Sequence, residues 1–267
     1  MSGPVPVLMY HAVAPQPAKA TWGLSVTPEA FAEQMAVLDE QGFTPITTAE
    51  LGECWRSGGH RALPARPVLI TFDDGYEGVH RYSLPVLAKH GFASTLFVST
   101  GWLRGAHDEG GAIDTMLDWG QVRELARAGM EIGGHTHSHP QMDQLGDEEL
   151  RYETVRCRDI IADELGSLPT SFAYPFGYSS RRVREMVKTA GFAQSFAVGN
   201  ALARPVQGPY AIERVTVRRS TDIEEFERLV EGRAIARNFA KDRALTKGYA
   251  MVRRTRRAAT LLRGAGR

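Results

Sequence analysis

The sequence predicts an α/β fold in which a parallel sheet, wrapped by helices, closes on itself as a barrel. Two observations carry that reading. Short apolar runs alternate with longer helical patterns along the chain, and the helical patterns stop at glycines. Strand–helix–strand repetition on this spacing makes neighbouring strands parallel and leaves the helices outside the sheet. About seven such units favour closure over an open sheet. The length, 267 residues, suits one large domain. With 43% hydrophobic and 24% charged residues, the composition excludes a disordered chain, a fibrous repeat and a coiled coil.

The elements follow in order. The first strand is expected over 5–10. A helix over 28–41 opens with Thr27 as N-cap and Pro28 at its first position, and Gly42 stops it. A strand over 68–72 leads to a helix over 83–90, which ends at Gly91, and then to a strand over 94–99. Residues 101–120, rich in glycine and scattered charge, read as a long loop at a strand end, where function often sits. A helix over 119–128 ends at Gly129 and a strand follows over 130–133. Residues 147–165 form a helix ending at Gly166, 171–174 a strand, and 179–190 a helix ending at Gly191. Those glycines supply the left-handed residue that closes a helix. Strands over 194–198 and 212–217 and a last helix over 221–232 complete a domain of residues 1–232.

Residues 233–267 form a basic tail. The net charge of +1 conceals nine basic residues against one acid between Lys241 and Arg267. A solvated chain end, a helix lying on anionic lipid and a nucleic-acid contact are all compatible with it. The apolar residues between its cations favour lipid over nucleic acid. No run is apolar and long enough to span a bilayer. The start lacks a basic segment followed by an apolar stretch, so a cytoplasmic location is expected, with peripheral contact at the inner face of the membrane. Cys54 and Cys157 are too few for a disulfide framework and read as reduced thiols.

Three segments place polar groups at predicted strand ends, the rim on which parallel α/β folds bind ligands. In the first, an apolar strand ends in Asp73, Asp74 and Gly75. Two adjacent carboxylates there call for a cation, although a plain Asx-turn has the same appearance. In the second, His135, His137 and His139 crowd five residues. That density points to metal ligation, and the spacing of His135 and His139 aims both at one point while His137 points elsewhere. Solvent-exposed loop histidines are the alternative. Together, Asp74, His135 and His139 would supply one oxygen and two nitrogens and leave coordination positions open, the mark of a catalytic site. Asp73 beside them would accept a proton, which makes the chemistry metal-assisted hydrolysis. The third segment, 171–178, contains Tyr174, Pro175, Phe176 and Gly177. Its aromatics suit the apolar face of a sugar, or simply pack a strand-ending turn.

These segments resemble the motifs of the polysaccharide deacetylase family, the NodB-homology enzymes of carbohydrate esterase family 4. TFDDG stands at Thr71–Gly75, H-[S/T]-x-x-H at His135–His139, and Pro-aromatic-Gly at Pro175–Gly177. The resemblance covers about residues 5–220. It implies a distorted (β/α) barrel of about seven units. It also implies metal-dependent hydrolysis, usually with zinc, of the N-acetyl group of an amino sugar. Asp73 would be the general base, and Asp74, His135 and His139 the metal ligands. The N–H of Phe176 would hold the oxyanion, with Tyr174 and Pro175 beside the substrate. Two departures stand out. Ala173 occupies the place of a common Arg, and no histidine follows His139, so the usual Leu-x-His acid is missing. His11, in an apolar strand ending Tyr10-His11, resembles the acid of a subgroup that includes poly-N-acetylglucosamine deacetylases. Arg214 is the candidate to replace the missing Arg beside Asp73.

The expected substrate is an N-acetylglucosamine-type sugar in a glycan or a lipid-linked precursor. Hydrolysis of an O-acetyl ester or another amide on the same fold is an alternative, and so is a glycan-binding homologue without turnover. Both aspartates and both ligand histidines speak against the last.

Overall fold

The computed structural model describes residues 3–58, 60, 62–242 and 244. Its elements run β1 (Val7–Tyr10), α1 (Pro28–Glu40), β2 (Thr44–Pro45), α2 (Thr48–Arg56), β3 (Pro67–Phe72), α3 (Leu84–His90), β4 (Thr95–Val98) and α4 (Trp119–Arg127). They continue β5 (Glu131–Gly134), α5 (Asp147–Leu165), β6 (Ser171–Ala173), α6 (Arg181–Thr189), β7 (Gln194–Phe196), β8 (Val215–Thr216), α7 (Ile223–Val230) and α8 (Ile235–Asn238). The strands pair in the order β7-β6-β5-β4-β3-β1-β8, every ladder parallel, with β2 attached to β3. A bridge between Phe196 and Ile212 joins the ends of that sheet, so the predicted barrel is realised with seven principal strands.

Alternation along the strands sorts side chains into two layers. On β3, Val68, Ile70 and Phe72 face outward with Leu8 and Tyr10 of β1 and Leu96 and Val98 of β4, against α1 and its neighbours. Val7, Leu69, Phe97, Ala173, Phe196 and Ile212 turn inward and fill the barrel. In β5, a Cβ on Gly133 would come within 2.6 Å of the Phe97 ring and 2.8 Å of the Ser171 carbonyl oxygen. Glycine alone lets the barrel fill at that level.

Three elements differ from expectation, the first being β2, a two-residue strand that the sequence reading leaves out. The sequence reading passes over α2, a helix of nine residues opened by a capping box in which Thr47 and Glu50 satisfy each other's backbone N–H. β8 is only two residues long, because the strand expected over 212–217 changes partners from β7 to β1 partway along. Packing continues past residue 232, where Ile235 and Phe239 join Val215 and Leu229. Most of the basic tail lies outside the described residues, and its lipid contact with it. No helix among the described residues is long and apolar enough to cross a membrane.

Candidate active site

The inward alternation of β3 continues past its end. Thr71 points into the barrel and donates to the Leu8 carbonyl, and Asp73, two residues on, meets Arg214 from the segment entering β8. Both guanidinium Nη atoms donate to Asp73, each at 2.7 Å, in a fork that closes on both carboxylate oxygens. Arg214 is fully buried, and the Thr71 hydroxyl and the Ala197 carbonyl take two of its other three N–H groups. Burial alone would push the Asp73 carboxyl up. Arg214 and His135 outweigh it and hold the group below its usual range.

Strand alternation would turn Asp74 away, but its backbone is left-handed, with φ 75°, and Gly75 continues the turn at φ 102°, so Asp74 faces the same cavity as Asp73. Such a conformation costs a non-glycine residue about 1–3 kcal/mol and persists only where the surroundings enforce it. It sets Asp74 Oδ1 at 3.2 Å from the Nε2 atoms of both His135 and His139. That oxygen is buried and accepts no hydrogen bond. One donor atom from each of the three residues lies within 4.8 Å of the others. The His135 Nδ1 must donate to the Ala173 carbonyl at 2.8 Å, because a carbonyl can only accept. This fixes the tautomer that frees Nε2 for a metal. A convergent, desolvated set of one oxygen and two nitrogens around an orphaned carboxylate atom fits a divalent transition metal.

The loop between the two histidines is also left-handed at Thr136 and His139, with φ 67° and 59°. Glu153, buried on α5, clamps it by accepting from the backbone N–H of His137 (2.9 Å) and of Ser138 (2.8 Å) and from the Ser138 hydroxyl (2.5 Å). His137 points away from the cluster, as the spacing predicts. Its Nδ1 meets the Thr100 hydroxyl at 2.7 Å, and its Nε2 lies 2.9 Å from the Glu109 carboxylate.

A cavity of about 470 Å³ opens over these groups, lined by His11, Asp73, Asp74, His135, His139 and Phe176 among others. His11 presents a buried Nδ1 without a hydrogen-bond partner, and burial lowers its pKa against the pull of Asp74 and Asp73. Trp102 and Phe176 flank His139, their ring centroids 4.6 and 4.8 Å from the imidazole, and Phe176 stacks on Tyr178.

Two expected substrate contacts are absent from this wall. The Tyr174 ring packs in a core cluster with Phe172 and Phe192, and its hydroxyl meets Ser195 and the Tyr210 carbonyl. Pro175 is buried and does not line the cavity. The reason is the turn: Phe176 sits at φ 58°, which swings it and Tyr178 toward the cavity while Tyr174 keeps strand alternation toward the helices. Tyr76 and Glu153 escaped the sequence reading. Tyr76 lines the cavity, and burial next to the Asp74 carboxylate drives its pKa strongly upward, so its hydroxyl keeps its proton. Its position directly after TFDDG was the one available signal. Glu153 had none, being remote in sequence and set on an ordinary amphipathic helix.

Comparison with known proteins gives the family and the fold. A polysaccharide deacetylase family model matches residues 60–195, just over half of the chain. The poly-beta-1,6-N-acetyl-D-glucosamine N-deacetylase of Escherichia coli (strain K12) is 26% identical over 238 residues, covering 76% of this chain and 35% of that enzyme. The chain thus spans about a third of that relative's length. Among solved structures, the Streptococcus pyogenes deacetylase PplD in complex with acetate superposes with a TM-score of 0.77 at 22% identity, covering 86% of this chain and 99% of the other. IcaB from Ammonifex degensii superposes at 0.70 with 24% identity, covering 86% and 97%. These two likenesses establish the shared barrel. With the family match falling across Asp73, Asp74, His135 and His139, the chain belongs to the polysaccharide deacetylase family.

Proposed function

We propose that this protein is a metal-dependent N-deacetylase, most simply a zinc enzyme, acting on an N-acetylglucosamine-type sugar in a glycan or a lipid-linked glycan precursor. One observation carries the reading: a buried, Arg-paired carboxylate, Asp73, stands beside the convergent donors of Asp74, His135 and His139. The N-deacetylase named among the relatives supports the choice of an N-acetylated sugar.

Asp74, His135 and His139 would hold the metal, whose chemistry is to acidify water and polarise the acetyl carbonyl. Asp73 takes the proton of the attacking water. Its ionisation at working pH follows from Arg214, which also fixes the direction in which its oxygens point. The backbone N–H of Phe176 supplies a donor where negative charge develops on the acetyl oxygen. His11 faces the same cavity and gives a proton to the departing nitrogen, without which a C–N bond does not break. Acetate and a free amine leave. Trp102, Phe176 and Tyr178 offer aromatic surface to the apolar face of the sugar.

The test is acetate release from N-acetylglucosamine oligomers and an O-acetylated control, with zinc, with chelator and with Asp73→Asn. Release from the N-acetyl substrates that requires both metal and Asp73 is expected. Release from the ester alone would replace this reading with an esterase.

A further inference from the structure

The strand that carries Arg214 continues upward through the cavity wall. Thr216 lines the cavity on the same face, and Val217 still pairs with the Met9 carbonyl. Arg218, next on that face, reaches the mouth. Arg218 lies two residues beyond Thr216, the last residue of β8. Among the described residues lining the cavity, it is the only lysine or arginine.

Its neighbours in sequence and space are committed elsewhere. Arg214 spends its donors on Asp73, Thr71 and Ala197. Arg219 turns outward and pins the 14–25 loop through the carbonyls of Ala14 and Pro15 and the Ser25 hydroxyl. Among the described residues, the Arg218 guanidinium instead meets the Phe239 ring, 5.2 Å away, and one carboxylate oxygen of Asp242 at 3.1 Å. Asp242 follows α8 and also lines the cavity mouth. Both side chains are about one-third exposed. A pair so placed is worth little to stability, and another anion can replace the carboxylate.

We propose that Arg218 is an anion subsite for a phosphate carried by the substrate, and that Asp242 occupies it as an internal stand-in until substrate arrives. At the mouth the guanidinium, the one such cation among the described lining residues, offers a planar fork matched to phosphate oxygens. Asp242 sits in the chain beyond the barrel, so it can swing aside without moving a strand. The inference rests on the deacetylase reading and narrows its substrate to phosphate-bearing N-acetylated sugars.

Calorimetric binding of N-acetylglucosamine 1-phosphate and of the uncharged methyl glycoside would be compared for the full-length zinc-loaded protein, Arg218→Gln, Arg218→Lys and Asp242→Asn. The phosphorylated sugar is expected to bind at least tenfold more tightly to the unaltered protein. Loss of a charge-assisted fork corresponds to a ten- to hundredfold weakening, so Arg218→Gln should erase the preference. Arg218→Lys should keep part of it, and Asp242→Asn should bind the phosphate severalfold more tightly because the competing charge is gone. Equal binding of the two sugars, a preference that survives Arg218→Gln, or no binding of the phosphorylated sugar would each overturn the subsite. Acetate release is followed in parallel. No release from neutral or phosphorylated sugars would defeat the deacetylase reading, whereas release without phosphate preference would defeat the subsite alone.

Discussion

Asp73 keeps its charge in a buried setting because Arg214 closes on both its oxygens. Burial by itself raises its pKa, and Arg214 is the foremost opposing group. Removing the guanidinium leaves only His135 and His11 to oppose the burial, so Arg214→Ala should move the acid limb of the kcat/KM profile to higher pH. A limb that stays in place would show that Asp73 does not set it. The substitution also strands a buried carboxylate and should cost about 3–5 kcal/mol in chemical denaturation. Asp73→Asn should lower turnover by about 10²–10⁴-fold while zinc stoichiometry holds, as expected of a proton acceptor outside the ligand set. Glu153→Ala releases three donors around the metal loop, and zinc affinity should fall about 10–100-fold with partial recovery in Glu153→Gln. The aspartates and histidines were legible because polar residues crowd the ends of apolar runs. Arg214 was legible only as the candidate for an empty role. Glu153 could not be read at all, since a helix position gives no hint of which loop lies over it.

Helices closed by glycine and opened by a proline or a capping residue were readable to within a few residues, as α1 and α4 illustrate. α2 was not, because its nine residues include Gly52 and show only a short apolar stripe. Its stability comes from outside its own sequence. Glu131 of β5 accepts from the Thr48 hydroxyl (2.8 Å), the Ala49 N–H (3.0 Å) and the Thr95 hydroxyl (3.1 Å) through one oxygen. Through the other it accepts from the Ser171 hydroxyl at 2.7 Å. Gln194 and Arg56 extend this polar plug across the bottom of the barrel. A Cβ on Gly52 would lie 1.7 Å from the Gln194 side-chain oxygen, which explains a glycine in the middle of a helix. Glu131→Ala leaves several buried donors unpaired, and we expect a loss of about 3 kcal/mol in urea unfolding. Zinc binding should persist, because the plug lies at the opposite end of the strands from the metal cluster. Concurrent loss of zinc would mean that the two ends of the barrel are coupled.

Across the whole molecule, the repeated strand–crossover pattern made the barrel legible, while its point of closure was not. One segment, 212–216, meets β7 at Ile212 and β1 at Val215, and no periodicity announces a change of partner. The charge distribution is legible from sequence alone and carries a separate consequence. Nine of the 32 basic residues fall between Lys241 and Arg267, against one of the 31 acids, so the rest of the chain is net negative. A uniformly acidic body would be repelled by an anionic bilayer, so any attraction would have to come from the basic end of the sequence that begins at Lys241. Each Lys or Arg near such a surface contributes about 1 kcal/mol at physiological ionic strength. Replacing Arg253, Arg254, Arg256 and Arg257 together with glutamine should therefore reduce co-sedimentation with phosphatidylglycerol vesicles by well over tenfold, and added salt should weaken the unaltered protein in the same direction. Acetate release from a water-soluble N-acetylglucosamine oligomer should be the same for both proteins, while release from a membrane-embedded substrate should fall with vesicle binding. Equal sedimentation of the two proteins would remove the bilayer from the account and leave the tail as a solvated chain end.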